Sequence, residues 1–274
     1  MLRRAAVFLA VLAGIWGLWE AFKAFGEAVK LTWPFPVNDR TFPHIHDMIG
    51  QLFEPSRRNG PLLIDVLWDA ALFTAKEAFV GFLLGASVGF LIAIVLVHSN
   101  LLQRGFLPYI VASQTVPILA IAPMVVVWMG SRGLPNWFSV AVIAAYLTFF
   151  PVTINTLRGL ASADRRALEL MRSYAGSQWS ILWKLKVPAS LPYLFAALKV
   201  SATASVVGAI IGELPSSIQD GLGGAILNFN QYYLNSPESL WATNLIAALV
   251  GISFFLGIVV LERIVVRRAP EHVA

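Results

Sequence analysis

Residues 79–97 read FVGFLLGASVGFLIAIVLV, a run without one charged side chain. In water such a segment would have to be buried on every face. In a bilayer, a helix of about 20 apolar residues crosses the hydrocarbon core with its backbone hydrogen bonds satisfied internally. The run has counterparts at residues 5–25, 106–129, 137–157, 193–212 and 240–261, so the expected fold is an all-α membrane protein with six transmembrane helices. Composition agrees: of 274 residues, 58% are hydrophobic and only 13% charged, where soluble domains carry about a quarter charged. The first run has the outline of a signal peptide, with Ala24-Phe25-Gly26 as a cleavage site. Trp16, Trp19 and the length of its apolar stretch favour a retained anchor. The chain divides at the Pro-rich loop: residues 1–61 hold the first helix and outer loop, and residues 62–274 hold the transmembrane core.

Lysine and arginine set the orientation, because they accumulate on the cytoplasmic side. With six spans one side carries Arg3, Arg4, Arg104, Arg158, Arg165, Arg166, Arg172, Lys184, Lys186, Arg263, Arg267 and Arg268. The other carries only Lys30, Arg40, Arg57, Arg58 and Arg132. Both termini, and the polar segment 158–191, are therefore expected in the cytoplasm of a multi-pass cell (inner) membrane protein. The net charge of +5 falls in loops that face anionic lipid, and no basic stripe with interleaved aromatics suggests nucleic acid.

Several chemistries are excluded by what the chain lacks. It has no cysteine, hence no disulfide framework or thiolate metal site. Its lysines lie in AFKAF, AVKLT, TAKEA, WKLKV and ALKVS, none following the glycine of a phosphate-cradling P-loop. Neither G-x-S-x-G nor H-E-x-x-H occurs, so no catalytic residue and no cofactor are expected on this chain. The cluster PHIHD, with His44, His46 and Asp47, reads as an ordinary solvated loop, and no metal is expected there.

Small residues recur on the spans. Gly81, Gly85 and Gly89 form one helical stripe on the second; Ala204, Gly208 and Gly212 form another on the fifth. Lipid gives no hydrophobic drive for helix association, so such stripes let backbones approach and pack, here expected within one bundle. A continuous helix over residues 62–97 would be about 54 Å long, with its first turns along the outer interface. The third span, SQTVPILAIAPMVVVW, carries Pro117 and Pro123 after Gln114 and Thr115, and each proline removes a helical hydrogen bond. A broken, pathway-lining helix is one reading and a merely structural kink the other. Gln114, Thr115, Pro117, Ser201, Thr203, Ser205 and Glu213 are candidate pathway residues. No charge is expected near the middle of any span, and Glu213 is placed at the outer interface as a possible exit group or a helix end.

The polar segment RGLASADRRALELMRSYAGSQWSILWKLKVPASLP has its own pattern. Ala167, Leu170, Met171 and Tyr174 share one helical face, with Ser162 or Asp164 as the cap. Gly176 and Ser177 provide a turn, Ile181, Leu182 and Leu185 a second apolar face, and Pro188 a stop. Two short helices around a tight turn are expected. Their apolar faces need a partner, either another subunit or the bilayer surface.

This segment resembles the EAA loop of ABC-importer permeases, whose pattern is Glu-Ala-Ala, three residues, Gly, nine residues, Ile, one residue, Leu-Pro. Aligned on the final proline, Glu169 takes the Glu position, Leu170-Met171 the alanines, Ala175 the Gly, Leu185 the Ile and Val187-Pro188 the Leu-Pro. The glycine has moved one place on, to Gly176. QTVPILAIAPMVVVWMG and VVGAIIGELPSSIQDGLGGAI are also similar to that family, in its nitrate, sulfonate, taurine and vitamin-precursor branch. The resemblance covers roughly residues 68–268. It implies a permease subunit without enzymatic activity that docks its loop on a dimer of ABC ATPase subunits, which hold the ATP and Mg. It also implies a second permease copy, as a homodimer, and an extracytoplasmic solute-binding protein. The ATPase contacts would be Glu169, Arg172, Tyr174, Ala175, Gly176, Trp179 and Pro188. A stand-alone secondary transporter or channel is the chief rival reading, and an intramembrane enzyme or membrane anchor the second.

Overall fold

A computed structural model describes residues 2–32, 36–57, 60–216 and 218–266. Arg58, Arg267 and Arg268 of the orientation argument lie outside the described residues. The helices are α1 (Leu2–Ala28), α2 (Ile45–Gln51), α3 (Leu63–Val97), α4 (Asn100–Ser113), α5 (Ile118–Gly130) and α6 (Asn136–Ala161). They continue with α7 (Arg165–Ser173), α8 (Gln178–Ile181), a π-helical turn (Leu182–Lys186), α9 (Val187–Glu213), α10 (Leu222–Gln231) and α11 (Pro237–Val265). Among the described residues the only extended pairing is one isolated bridge, Pro55 with Leu62.

Among the described residues four helical stretches are long and apolar enough to cross a membrane: Leu63–Val97, Asn136–Ala161, Gln178–Glu213 and Pro237–Val265. The expected third span is broken into two helices: α4 and α5 meet at 96° across residues 114–117. The reason is local. Thr115 returns its hydroxyl to the Ala112 carbonyl, and Pro117, extended at φ −68° and ψ 113°, starts a new helix instead of continuing the old one. The Ser113 carbonyl left over at the break accepts from the Tyr146 hydroxyl. Many apolar side chains point outward, among them Val88, Leu91 and Val95 of α3, as a lipid-facing surface requires.

The chain forms two compact units: residues 1–70 with 225–246, and residues 71–224 with 247–274. In the first, the loop after α1 is tied back to that helix. Trp19 donates to the Pro43 carbonyl at 3.1 Å, and Phe42 packs 4.7 Å from Trp19, itself edge-on to Trp241 at 5.6 Å. The buried Lys23 ammonium bonds Asp39 at 2.6 Å, which holds the Asp39 carboxyl below its ordinary range.

In the second unit α6 is the central helix. The glycine stripe of α3 faces it: a Cβ at Gly81, Gly85 or Gly89 would strike the carbonyls of Ala141, Ala145 and Phe149. Gly208 and Gly212 of α9 lie against Ala144 and Val140 of the same helix α6, and Ala204 is half-buried. Removing side chains where helices cross lets backbones touch, and dispersion then replaces the missing hydrophobic drive. A cluster of Ala93, Leu96, Leu157, Leu160 and Leu182 closes one end of this packing.

The expectation that no span carries a mid-helix charge is corrected. Glu77 lies well inside α3 and is fully buried. Lys199 of α9 pairs with Glu262 of α11 at 2.6 Å. Lys199 stands within the span expected over residues 193–212, and Glu77 just before the one expected over residues 79–97.

Candidate functional site

The polar segment folds as two short helices around a tight turn. Asp164, not Ser162, caps α7, accepting from the Arg166 amide at 3.1 Å; Ser162 instead donates to the Gly159 carbonyl and closes α6. Arg165 and Glu169 pair across one turn at 3.0 Å, both exposed. Such a pair steadies an isolated helix by about 0.2–0.5 kcal/mol. Ser177 caps α8 through the Ser180 amide at 3.2 Å.

The positive φ falls on Ala175, at 52°, and not on Gly176. The amide of Ala175 donates to the Arg172 carbonyl at 3.0 Å and that of Gly176 to Met171 at 2.9 Å, satisfying carbonyls at the end of α7. Gly176 is needed for a different reason: a Cβ there would sit 2.7 Å from the Met171 oxygen. The left-handed residue therefore occupies the position at which the EAA pattern has its glycine, and the displaced glycine serves close approach.

Against the expected stop, the helix that runs from Gln178 to Glu213 continues through Pro188. The turn before it is wound as a π-helix, with the Val187 amide reaching the Leu182 carbonyl five residues back. An α-turn there would press the proline ring against the carbonyl four residues earlier; the wider turn removes that conflict. Ile181 and Leu182 are buried, so α8 is fixed to the bundle at its base. Leu170, Tyr174, Trp179 and Trp183 remain outside, Tyr174 being 80% exposed, and the two tryptophans meet edge-on at 5.6 Å. Glu169, Arg172, Ala175 and Pro188 are exposed as well, and Gly176 is half-buried. The polar hairpin thus presents a group of aromatic side chains to its surroundings.

The candidate pathway residues fall in two places. Gln114, Thr115 and Pro117 are exposed at the α4–α5 break. Ser201 and Ser205 are buried on α9 and donate to the carbonyls of Thr148 and Ala202; Thr203 donates to Val200. Glu213, the last residue of α9, is fully buried. Its carboxylate accepts from the Thr74 hydroxyl at 2.6 Å and from the Gly223 amide at 2.5 Å. Thr74 in turn accepts from the Leu222 amide at 2.8 Å. Glu77 lies beside Glu213, its own oxygens buried without an aligned partner. Gly221 and Gly223 pack against the Glu213 carboxylate with no room for a Cβ. Sequence reasoning missed this clasp; the glycines of DGLGG after an isolated glutamate were the available signal.

Several of the described helices are long and apolar enough to cross a membrane. Residues 81–269 match the family described as "Binding-protein-dependent transport system inner membrane component", and the chain belongs to this family of ABC transporter permeases. It is 33% identical to the formylaminopyrimidine transport permease protein ThiX of Halalkalibacterium halodurans, over 68% of this chain and 71% of that one. It is 29% identical to the riboflavin transport system permease protein RibX of Chloroflexus aurantiacus, over 74% and 73%. The putative aliphatic sulfonates transport permease protein SsuC of Bacillus subtilis is 28% identical over 87% and 79%. A crystal structure of an amino acid ABC transporter with histidines shares the fold, with a TM-score of 0.59 and 15% identity over 74% of this chain and 95% of that one.

Proposed function

We propose that this permease forms the membrane pathway of an importer in which the α7–α8 hairpin is the docking handle for a separate ATPase subunit. The observation that carries the proposal is the combination at the hairpin: aromatic side chains turned outward on a segment whose base, Ile181 and Leu182, is locked into the bundle. A handle that moves a bundle must grip at one end and be stiff at the other. Tyr174 and Trp179 supply the grip; Glu169, Arg172, Ala175 and Gly176 hold the turn and its register; the helix through Pro188 transmits the displacement into α9. Two ATPase subunits, with their ATP and Mg, would face two permease copies, and a solute-binding protein would deliver from the opposite side. The reading keeps six spans, with α1 as the first and the α4–α5 pair as the third, and both termini on the hairpin's side. ATP-bound and ATP-free ATPases bias the bundle differently, which is the condition for a ligand to drive a conformational equilibrium.

The solute we propose is a small nitrogen heterocycle of the vitamin-precursor kind, supported by the likeness to ThiX and RibX. The likeness to SsuC favours a sulfonate as the second reading. A stand-alone carrier or channel gains no support from these likenesses. The test is uptake into vesicles holding the whole importer. Glu169→Ala and Gly176→Val are expected to lower ATP-driven uptake at least tenfold while membrane insertion is unchanged. Full uptake and undiminished ATPase association in both variants would contradict the handle.

A further inference from the structure

The PHIHD loop folds back onto α1. Its two histidines converge on Glu20 of α1, and one nitrogen from each of His44 and His46 and one Glu20 oxygen all lie within 4.8 Å of one another. His44 Nδ1 is 2.5 Å from Glu20 Oε2. The other carboxylate oxygen, Oε1, accepts from the Ile45 amide at 3.3 Å. The imidazoles of His44 and His46 stack at 4.9 Å, and Asp47 Oδ1 approaches His46 Nε2 at 3.3 Å. The loop that carries these groups is held to α1 by the Trp19–Pro43 hydrogen bond and the Trp19–Phe42 contact.

From this geometry we propose that Glu20, His44 and His46 bind a first-row divalent transition metal such as Zn²⁺. Two imidazole nitrogens and a carboxylate oxygen are a donor set for that class of ion and a poor one for Mg²⁺ or Ca²⁺, which take oxygen ligands. Metal–ligand bonds of about 2.0–2.2 Å need donors roughly 3.4 Å apart in a tetrahedron, which small side-chain rotations reach from the observed spacing. The Ile45 amide orients the carboxylate and Asp47 the exposed imidazole, the outer contacts that tune such sites. A fourth position is left for water or a ligand. The simple alternative, a Glu20–His44 ion pair, makes no use of His46, and this separates the two.

The experiment is Zn²⁺ titration of the untagged full-length chain in nanodiscs by calorimetry, with a chelating dye as competitor. One Zn²⁺ per chain is expected, with affinity lowered at least tenfold in Glu20→Gln and in His46→Ala. His46 is exposed, so His46→Ala should leave the metal-free unfolding midpoint unmoved, which separates lost coordination from lost folding. Zn²⁺ affinity unchanged in His46→Ala, or wild-type binding no greater than that of a variant lacking all three ligands, would overturn the site.

Discussion

The α7–α8 hairpin and the clasp around Glu213 are both built from polar side chains, yet they use them in opposite ways. On the hairpin, Arg165, Glu169, Arg172 and Tyr174 are exposed and satisfied by one another or by solvent, and the aromatic groups stand outward. In the clasp, Thr74 and Glu213 are withdrawn from solvent, and their hydrogen bonds end on the amides of Leu222 and Gly223. A buried polar group is stable only with its partners in place, so the clasp is a structural device whose loss affects folding. An exposed group contributes little to folding and is free to serve a partner. The two regions should therefore separate stability from assembly when they are altered.

The largest effect should come from the packing on which both regions depend. Gly85→Leu would drive a side chain into the Ala145 carbonyl and lower bundle stability by about 3 kcal/mol, read as the unfolding midpoint in mixed micelles. Next is Glu213→Ala, which leaves the Thr74 hydroxyl hydrogen and the Gly223 amide without an acceptor, for a loss of about 2–3 kcal/mol. Glu213→Gln keeps one acceptor and should lose less than half of that. Equal losses in the two variants would mean that volume, and not hydrogen bonding, maintains the clasp. Trp179→Ala should change stability by no more than about 0.5 kcal/mol while lowering affinity for the ATPase subunit by about 2 kcal/mol, roughly thirtyfold. The smallest effect is a gain. Ala175→Gly relieves about 1 kcal/mol of left-handed strain, partly offset by greater unfolded-chain entropy, for a net stabilisation of about 0.5 kcal/mol.

Much of this was legible in the sequence for identifiable reasons. Uncharged runs located the long helices because a bilayer demands length and apolarity together. The stripe Gly81, Gly85, Gly89 showed which side of α3 is close-packed because its spacing matches the helical repeat. The hairpin was legible through its change of period and its turn residues. What stayed hidden depends on contacts distant in sequence. Glu213 meets Thr74 across most of the chain, and nothing local marks either as buried. Glu20 and His44 belong to separate elements joined only by the folded loop. The π-turn before Pro188 was hidden too, since a proline signals a break and only the packing of Ile181 and Leu182 shows that the helix is held through it.

The docking claim is most directly tested by cysteine cross-linking, for which the cysteine-free chain is already suited. A single cysteine replacing Tyr174 or Trp179 should form a disulfide with one introduced on the permease-facing surface of the ATPase subunit, with a yield that changes when ATP is added, while a cysteine at Val88 on α3 forms none. If the hairpin cysteines stay uncrosslinked in the assembled importer and are instead labelled from the lipid phase, the hairpin is not where the ATPase holds this permease.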